Sequence, residues 1–447
     1  MSYPNDKHVD YNRSKLFLLS VIALITAGVA ANIRGLIAGD LQSVFFDPID
    51  KIHSVEMVGE VLGVAFLGFA FSIAIGSPLL DSLGMAFLLR LSSLCFIAGT
   101  SMVILAEPIA STTTIGIFRV IWIGMLLSGI GWGLAETVIN PLIATLYPDD
   151  KTHRLNVLHA WWPGGLIIGG LIGLGLGGLN MGWQVKLAVI FIPALAFGCL
   201  TFGTKFPPTE RVALGVSASG MFKELLRPFF LVWWCSMFLT AASELAPGQW
   251  VELALTRTVH MHGIWILIYV SGLMFVMRHF AGPVAHRLSP VGLLWFSCLL
   301  ASLGLVLLSI ANSPLTALLA ATVWGTGVCF MWPTMLAATS ERFPRGGALL
   351  MGLMGTAGTL SINFVLPQMG AIFDHAKINF AGGEGAFKAL SGDELQSVLG
   401  MAAQVSFRSV AILPALLLIV FGAIWFYDRR RGRPQKIAPD EEKAPVL

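Results

Sequence analysis

From residue 16 onward the chain is a succession of apolar stretches, each long enough to cross a bilayer, separated mostly by short polar joints. A helix needs roughly 20 such residues to span the hydrocarbon core. Inside that core every backbone N–H and C=O must find a partner within the protein, which leaves a helical bundle as the fold for continuous apolar runs. Twelve stretches can be placed: 16–38, 56–76, 85–106, 115–146, 156–179, 185–203, 228–252, 262–281, 291–311, 314–338, 348–372 and 405–427. Composition agrees, since 56% of the 447 residues are hydrophobic and only 12% are charged, about half the charge of a soluble chain. The 48 glycines and 22 prolines suit helices that bend and approach closely in lipid.

The first 15 residues (MSYPNDKHVDYNRSK) are polar, and the first apolar stretch is long enough to stay as an anchor. No cleavable signal is therefore expected. Lys and Arg set the orientation. With the N-terminus inside, only Lys51, Lys186, Arg257, Lys377 and Lys388 fall in outer loops, and Arg34, Arg119 and Arg408 fall within stretches; the remainder of the 28 lie on the inner side. Both termini are expected in the cytoplasm of a multi-pass protein of a bacterial inner membrane, its basic run Arg429–Arg433 an inner-leaflet anchor. The net charge of +3 gives no reason to expect nucleic acid, and a monomer is expected. The five cysteines (Cys95, Cys199, Cys235, Cys298, Cys329) fall in apolar stretches without a CxxC and read as reduced core residues.

The layout is a tail (1–15), six helices (16–203), a polar connector (204–227), six more helices (228–427) and a second tail (428–447). The halves carry traces of one repeat. The joint GSPLLDSLG (Gly76–Gly84) corresponds to GPVAHRLSPVG (Gly282–Gly292), and NPLIATLYP (Asn140–Pro148) to WPTMLAATSERFP (Trp332–Pro344). Asp81, Arg90 and Arg287 in and beside the joints are candidate gating residues. The outer segment 373–404 reads as a solvated loop or a short amphipathic helix.

Charges and amides inside apolar stretches are the candidates for function, because a membrane charge is costly unless it faces a cavity, a partner or a proton path. Glu136 stands in a run that is otherwise apolar from Ile115 to Leu146, apart from Arg119 and Asn140. Gly129, Gly133, Glu136 and Asn140 share one helical face, which is either a packing seam or a cavity wall. Two readings of Glu136 stay open: an ion pair locking two helices, or a carboxylate that gains and loses a proton as a cavity alternates. In the first stretch Gly28, Asn32, Gly35 and Gly39 share a face. Arg34 lies about 200° from Asn32, so it either pairs across a seam or contacts substrate. Asn156 and His159 share a face at the start of the fifth stretch, followed by Trp161 and Trp162. Flat rings with amides and an imidazole suit a sugar, and Trp residues there also suit interfacial anchors. In the seventh stretch Pro247 and Gly248 free backbone groups beside Glu244, Gln249 and Trp250. Trp324 and Asn363 are weaker candidates for the same pocket.

ETVINP (Glu136–Pro141), a short acidic loop and RLN (Arg154–Asn156) resemble the fucose permease family of sugar–proton symporters within the major facilitator superfamily. Arg278, Gly282, Arg287, Ser289 and Pro290 are similar too, as is Glu244 followed six residues on by Trp250. The resemblance implies an all-α membrane protein of twelve transmembrane helices in two six-helix halves, moving a sugar or sugar-like solute with a proton as coupling ion and no other cofactor or metal. In that family a helix 4 Glu and a helix 1 Asp carry the proton. Glu136 matches the first, whereas Arg34 or Gly35 stands where the Asp would be. His159 and Trp162 replace polar residues expected in fucose transporters, so fucose itself is not implied. Arg34 leaves a second reading, a carrier of an organic anion such as a sugar acid. No GxSxG, Walker or HExxH pattern occurs, so no enzyme and no ATP-driven pump is expected.

Overall fold

The computed structural model describes residues 11–50, 52–112, 116–258 and 264–431, and among them it is helical with no strand. Six membrane helices form the first half: α1 (Arg13–Leu36), α2 (Ser54–Leu83), α3 (Met85–Ile104), α4 (Ile117–Leu146), α5 (Lys151–Gly178) and α6 (Trp183–Leu200). Six more follow: α7 (Pro228–Thr258), α8 (Ile264–His279 continued by Ala281–Leu288), α9 (Pro290–Ile310), α10 (Pro314–Arg342), α11 (Gly347–Ala381) and α12 (Gly392–Arg431). Among the described residues eleven are long and apolar enough to cross a membrane singly, and α8 makes a twelfth when its two pieces, bent by 64° at Phe280, count as one span. Large apolar side chains such as Phe71, Leu171, Ile192, Leu231 and Ile419 point outward around the bundle, as a lipid-facing surface requires.

Within the first half α1 packs on α5, and α4 packs on α2 and α3; within the second, α7 packs on α11 and α12, and α9 on α10 and α12. Between the halves α2 lies against α11 and α5 against α8. Numbering the second half from α7 turns one of these pairs into the other, the mark of a duplicated unit. The repeat also shows in the backbone. Gly84 between α2 and α3 has φ 84°, and Ser289 between α8 and α9 has φ 67°. Both joints need a conformation that glycine adopts freely and serine does not.

Small residues let the helices touch. A Cβ on Gly129 would stand 2.0 Å from the Ala65 carbonyl, and one on Gly133 would stand 2.4 Å from that of Phe69. These two glycines are therefore a seam between α4 and α2, so only the polar part of the predicted α4 face is free for function. The segment 373–404 is not mainly loop. α11 runs on to Ala381, a short helix covers Glu384–Ala389, and α12 begins at Gly392. The cysteines divide: Cys298 and Cys329 are buried, while Cys199 and Cys235 are exposed on the bundle surface and are not core residues.

One end of the bundle holds the connector, and there the halves are tied. Lys151 at the start of α5 donates to both Glu210 oxygens (2.9 and 2.8 Å) and to Ser340 on α10 (3.0 Å). Thr152 donates to Glu341 at 3.4 Å, and His286 meets Asp150 at 3.7 Å. Asp81, a predicted gating residue, accepts from Thr209 at 2.6 Å and Arg211 at 2.7 Å, both in the connector. Arg90 bonds Thr201 within the first half at 2.9 Å. Arg287 is exposed and makes no polar contact among the described residues. Among those residues, every side-chain hydrogen bond between the halves lies between this end and the level of His159. Toward the other end, Gly35, Gly39, Gly59 and Gly63 face open space.

Candidate functional site

Glu136 is 4% exposed, inside α4. One carboxylate oxygen accepts from Trp132 Nε1 at 2.8 Å, a turn back, and the other from Asn140 Nδ2 at 3.2 Å, a turn on. The helical repeat thus supplies both donors locally. Asn140 Oδ1 accepts from His159 Nε2 at 2.9 Å, which carries the network to α5. Trp162, also on α5, stacks on Trp132 with centroids 4.6 Å apart and planes inclined by 15°. Among the described residues no Lys or Arg pairs with Glu136, so the seam ion pair left open in the sequence is not formed there.

The ion pair belongs to the other buried acid. Arg278 Nη2 donates to Glu244 Oε1 at 3.1 Å, with the two side chains 3% and 10% exposed. The sequence counts Arg278 with the inner-side basic residues, at the end of stretch 262–281; the structure places it within α8, just before the bend. Its Nη1 donates to the His159 carbonyl at 2.8 Å. His159 therefore joins the two carboxylates, by its ring toward Glu136 and by its main chain toward Glu244.

The other candidates separate. Asn156 donates to Thr334 on α10 at 3.2 Å. Its Oδ1, like Glu244 Oε2 and Asn32 Oδ1, is buried without a protein partner. Asn32 faces Gly169 and Gly170 on α5. Arg34 turns the other way, as the helix geometry requires. It is 6% exposed and reaches Ser128 on α4 at 3.3 Å. The space beside it, walled by α3, α4 and α6, is about 10 Å³, room for roughly one water and not for a sugar acid. Trp161 meets Phe275 on α8 at 5.2 Å, so each Trp of the pair packs on a ring of another helix. Asn363 is exposed, its amide turned back on Thr359. The side chains of Gln249 and Trp250 lie outside the described residues.

Trp324 is 2% exposed, and its Nε1 donates at 3.2 Å to the Ser243 carbonyl. Pro247, four residues on, has no N–H to offer that carbonyl, so Trp324 supplies the missing donor. The Trp324→Phe variant keeps the ring and removes the donor. It is expected to lower stability by about 1–3 kcal/mol while leaving the transport rate per folded molecule unchanged; thermal unfolding beside proteoliposome flux checks both. A large flux loss at unchanged stability would return Trp324 to the binding site.

Trp132 and Arg278 escaped the sequence reading of the site. Trp132 was reachable, one helical turn before Glu136. Arg278 was hidden by its closeness to a polar joint. Among the described residues no three His, Cys, Asp or Glu side chains converge as metal ligands would.

The helical duplicated bundle with a polar centre is that of a membrane transporter rather than an enzyme, and the comparisons define which class. The family model described as Major Facilitator Superfamily matches residues 16–365, and the chain belongs to that family. Its fold is similar to the crystal structure of the Escherichia coli fucose:proton symporter FucP, with a TM-score of 0.67 at 16% identity over 90% of this chain and 98% of that one. It is also similar to the proton:xylose symporter XylE bound to 6-bromo-6-deoxy-D-glucose, with a TM-score of 0.69 at 16% identity over 93% and 100%. A curated relative, myo-inositol transporter 1 of Saccharomyces cerevisiae, is 27% identical over 201 residues, 44% of this chain and 32% of that protein's length. The match thus spans about a third of that transporter.

Proposed function

We propose that this chain carries a neutral polyhydroxylated solute, a sugar or cyclitol, in symport with a proton, and that Glu136 is the proton site. The observation that carries the reading is a buried carboxylate held only by neutral donors, Trp132 and Asn140, with no paired cation among the described residues. Such a group can change its charge by taking a proton, and its hydrogen bonds rearrange when it does. Asn140 bonds it and His159 bonds Asn140, so a hydroxyl bound to either would sense that change. The partnerless oxygens of Asn156 and Asn32 would accept from other hydroxyls, and the Trp132–Trp162 stack offers an apolar surface to C–H groups. The solutes that FucP, XylE and the myo-inositol transporter carry support this solute class.

Transport proceeds by alternating access. With the termini and connector on the cytoplasmic side, this reading takes the bonds of Lys151 to Glu210 and Ser340 as the closed inner gate of an outward-facing state. Gate opening inward requires those bonds to break.

A flux assay tests the reading. The purified chain in proteoliposomes, given single neutral hexoses, pentoses or inositol outside, is expected to alkalinise the outer medium for at least one of them. A thermal-shift screen of the same solutes against their uronic and aldonic acids identifies which to use. Stabilisation by acids alone, or solute flux without proton movement, would overturn it.

A further inference from the structure

Two prolines at the contact between the halves leave carbonyls without their helical partners. Pro163 in α5 removes the N–H that would pair with the His159 carbonyl, and Pro333 in α10 does the same for Cys329. The His159 carbonyl accepts from Arg278 Nη1 at 2.8 Å and the Cys329 carbonyl from Arg278 Nε at 2.5 Å. The third arm of the same guanidinium rests on Glu244. One side chain, 3% exposed, therefore fills the gaps made by prolines in two helices, one from each half. It does so from the last turn before the 64° bend of α8.

We infer that Arg278 is the positioning residue of the transport cycle. It holds the proline-opened turn of α5 against α8 and α10 in the state closed at the connector end, and so keeps the His159 ring on Asn140. Leaving that state means withdrawing the guanidinium from the His159 carbonyl while its bonds to Cys329 and Glu244, both within the second half, stay intact. The contact is thus split along the boundary that moves. Only a planar fork serves three acceptors in these directions; a lysine offers one compact charge and reaches fewer of them. The inference rests on the alternating-access part of the proposed function and on neither the solute nor the proton.

The test uses the full chain with its five native cysteines replaced, and one cysteine on each half at the rim, Asp150→Cys with His286→Cys. A short bis-methanethiosulfonate cross-linker, which forms a disulfide with each cysteine and releases sulfinate, reports how often this end is closed, in detergent and without solute. Arg278→Met is expected to lower the cross-linking rate about fivefold, and Arg278→Lys to restore part of it. Pro163→Ala returns an N–H to the His159 carbonyl and leaves Arg278 in place. It is expected to shift the rate in the same direction by a smaller factor, and it decides the matter if the Arg278 variants do not fold. Lys151→Met serves as reference. A fall with Lys151→Met but none with Pro163→Ala or a folded Arg278→Met would overturn the role of Arg278 alone. No fall in any of them would mean that this end does not open, and would overturn the alternating-access reading with it.

Discussion

Replacing Glu136 with glutamine is expected to abolish concentrative uptake while sparing exchange of labelled solute across a membrane already loaded on both sides. The amide keeps the shape of the protonated carboxyl and can still bond Trp132 and Asn140. It cannot release a proton, so the cycle would lose the step that couples solute to the proton gradient and keep the steps that carry loaded solute. The loss in accumulation should exceed about tenfold, more than 1.4 kcal/mol of coupling. Wild-type exchange should slow as the pH rises, because Glu136 must be protonated to cross loaded, and exchange by Glu136→Gln should be flat over the same range. Uptake against a gradient by the variant, measured in energised vesicles, would remove Glu136 as the proton site. Loss of exchange together with uptake in a folded variant would make Glu136 a structural residue.

The second large effect concerns the tied end. Lys151 is 5% exposed and Glu210 27%. Breaking a fully buried pair costs about 3–5 kcal/mol, and breaking a surface pair less than about 1 kcal/mol. With one partner open to screening, roughly 1–2 kcal/mol is the discounted expectation, about a tenfold shift between the two access states. Lys151→Met should therefore populate the state open at the connector end. A cysteine at Thr334, 0% exposed in the closed arrangement, should then react with an impermeant maleimide about ten times faster in the Lys151→Met background. An unchanged rate would mean that the Lys151 contacts are not what holds this end shut. High salt should move the wild-type rate in the same direction but less, since the buried ammonium is poorly reached by ions.

The spans were legible because their signal is a run of apolar residues, and lipid admits one backbone solution for it. The exact course of α11 and α12 was not, since their outer ends leave the apolar region and continue as exposed helix through residues that look like loop. Glu136, Asn140 and His159 were legible as candidates because each breaks an apolar pattern, and the structure links them by hydrogen bonds. Their partners were harder. Trp132 looks like any aromatic in lipid until the Glu one turn away is noticed. Arg34 and Arg278 are both lone basic residues at the edges of apolar runs, and the sequence ranks Arg34 higher. The fold reverses that order: α1 turns Arg34 into the interior of its own half, while the bend in α8 brings Arg278 to the boundary. Which carbonyls need a donor follows from prolines that are plain in the sequence; which side chain answers them follows from helix packing, which is not.

The connector described at the tied end has a consequence of its own. Glu210 and Arg211 belong to neither half, yet they supply the countercharges for Lys151 and Asp81. The stretch of chain that makes the protein one molecule is also the bolt on the end it ties. Two halves made as separate polypeptides without the connector would bring every residue of the central cluster with them and leave that bolt behind, so a split version would be expected to keep its solute preference and lose its bias toward closure at that end.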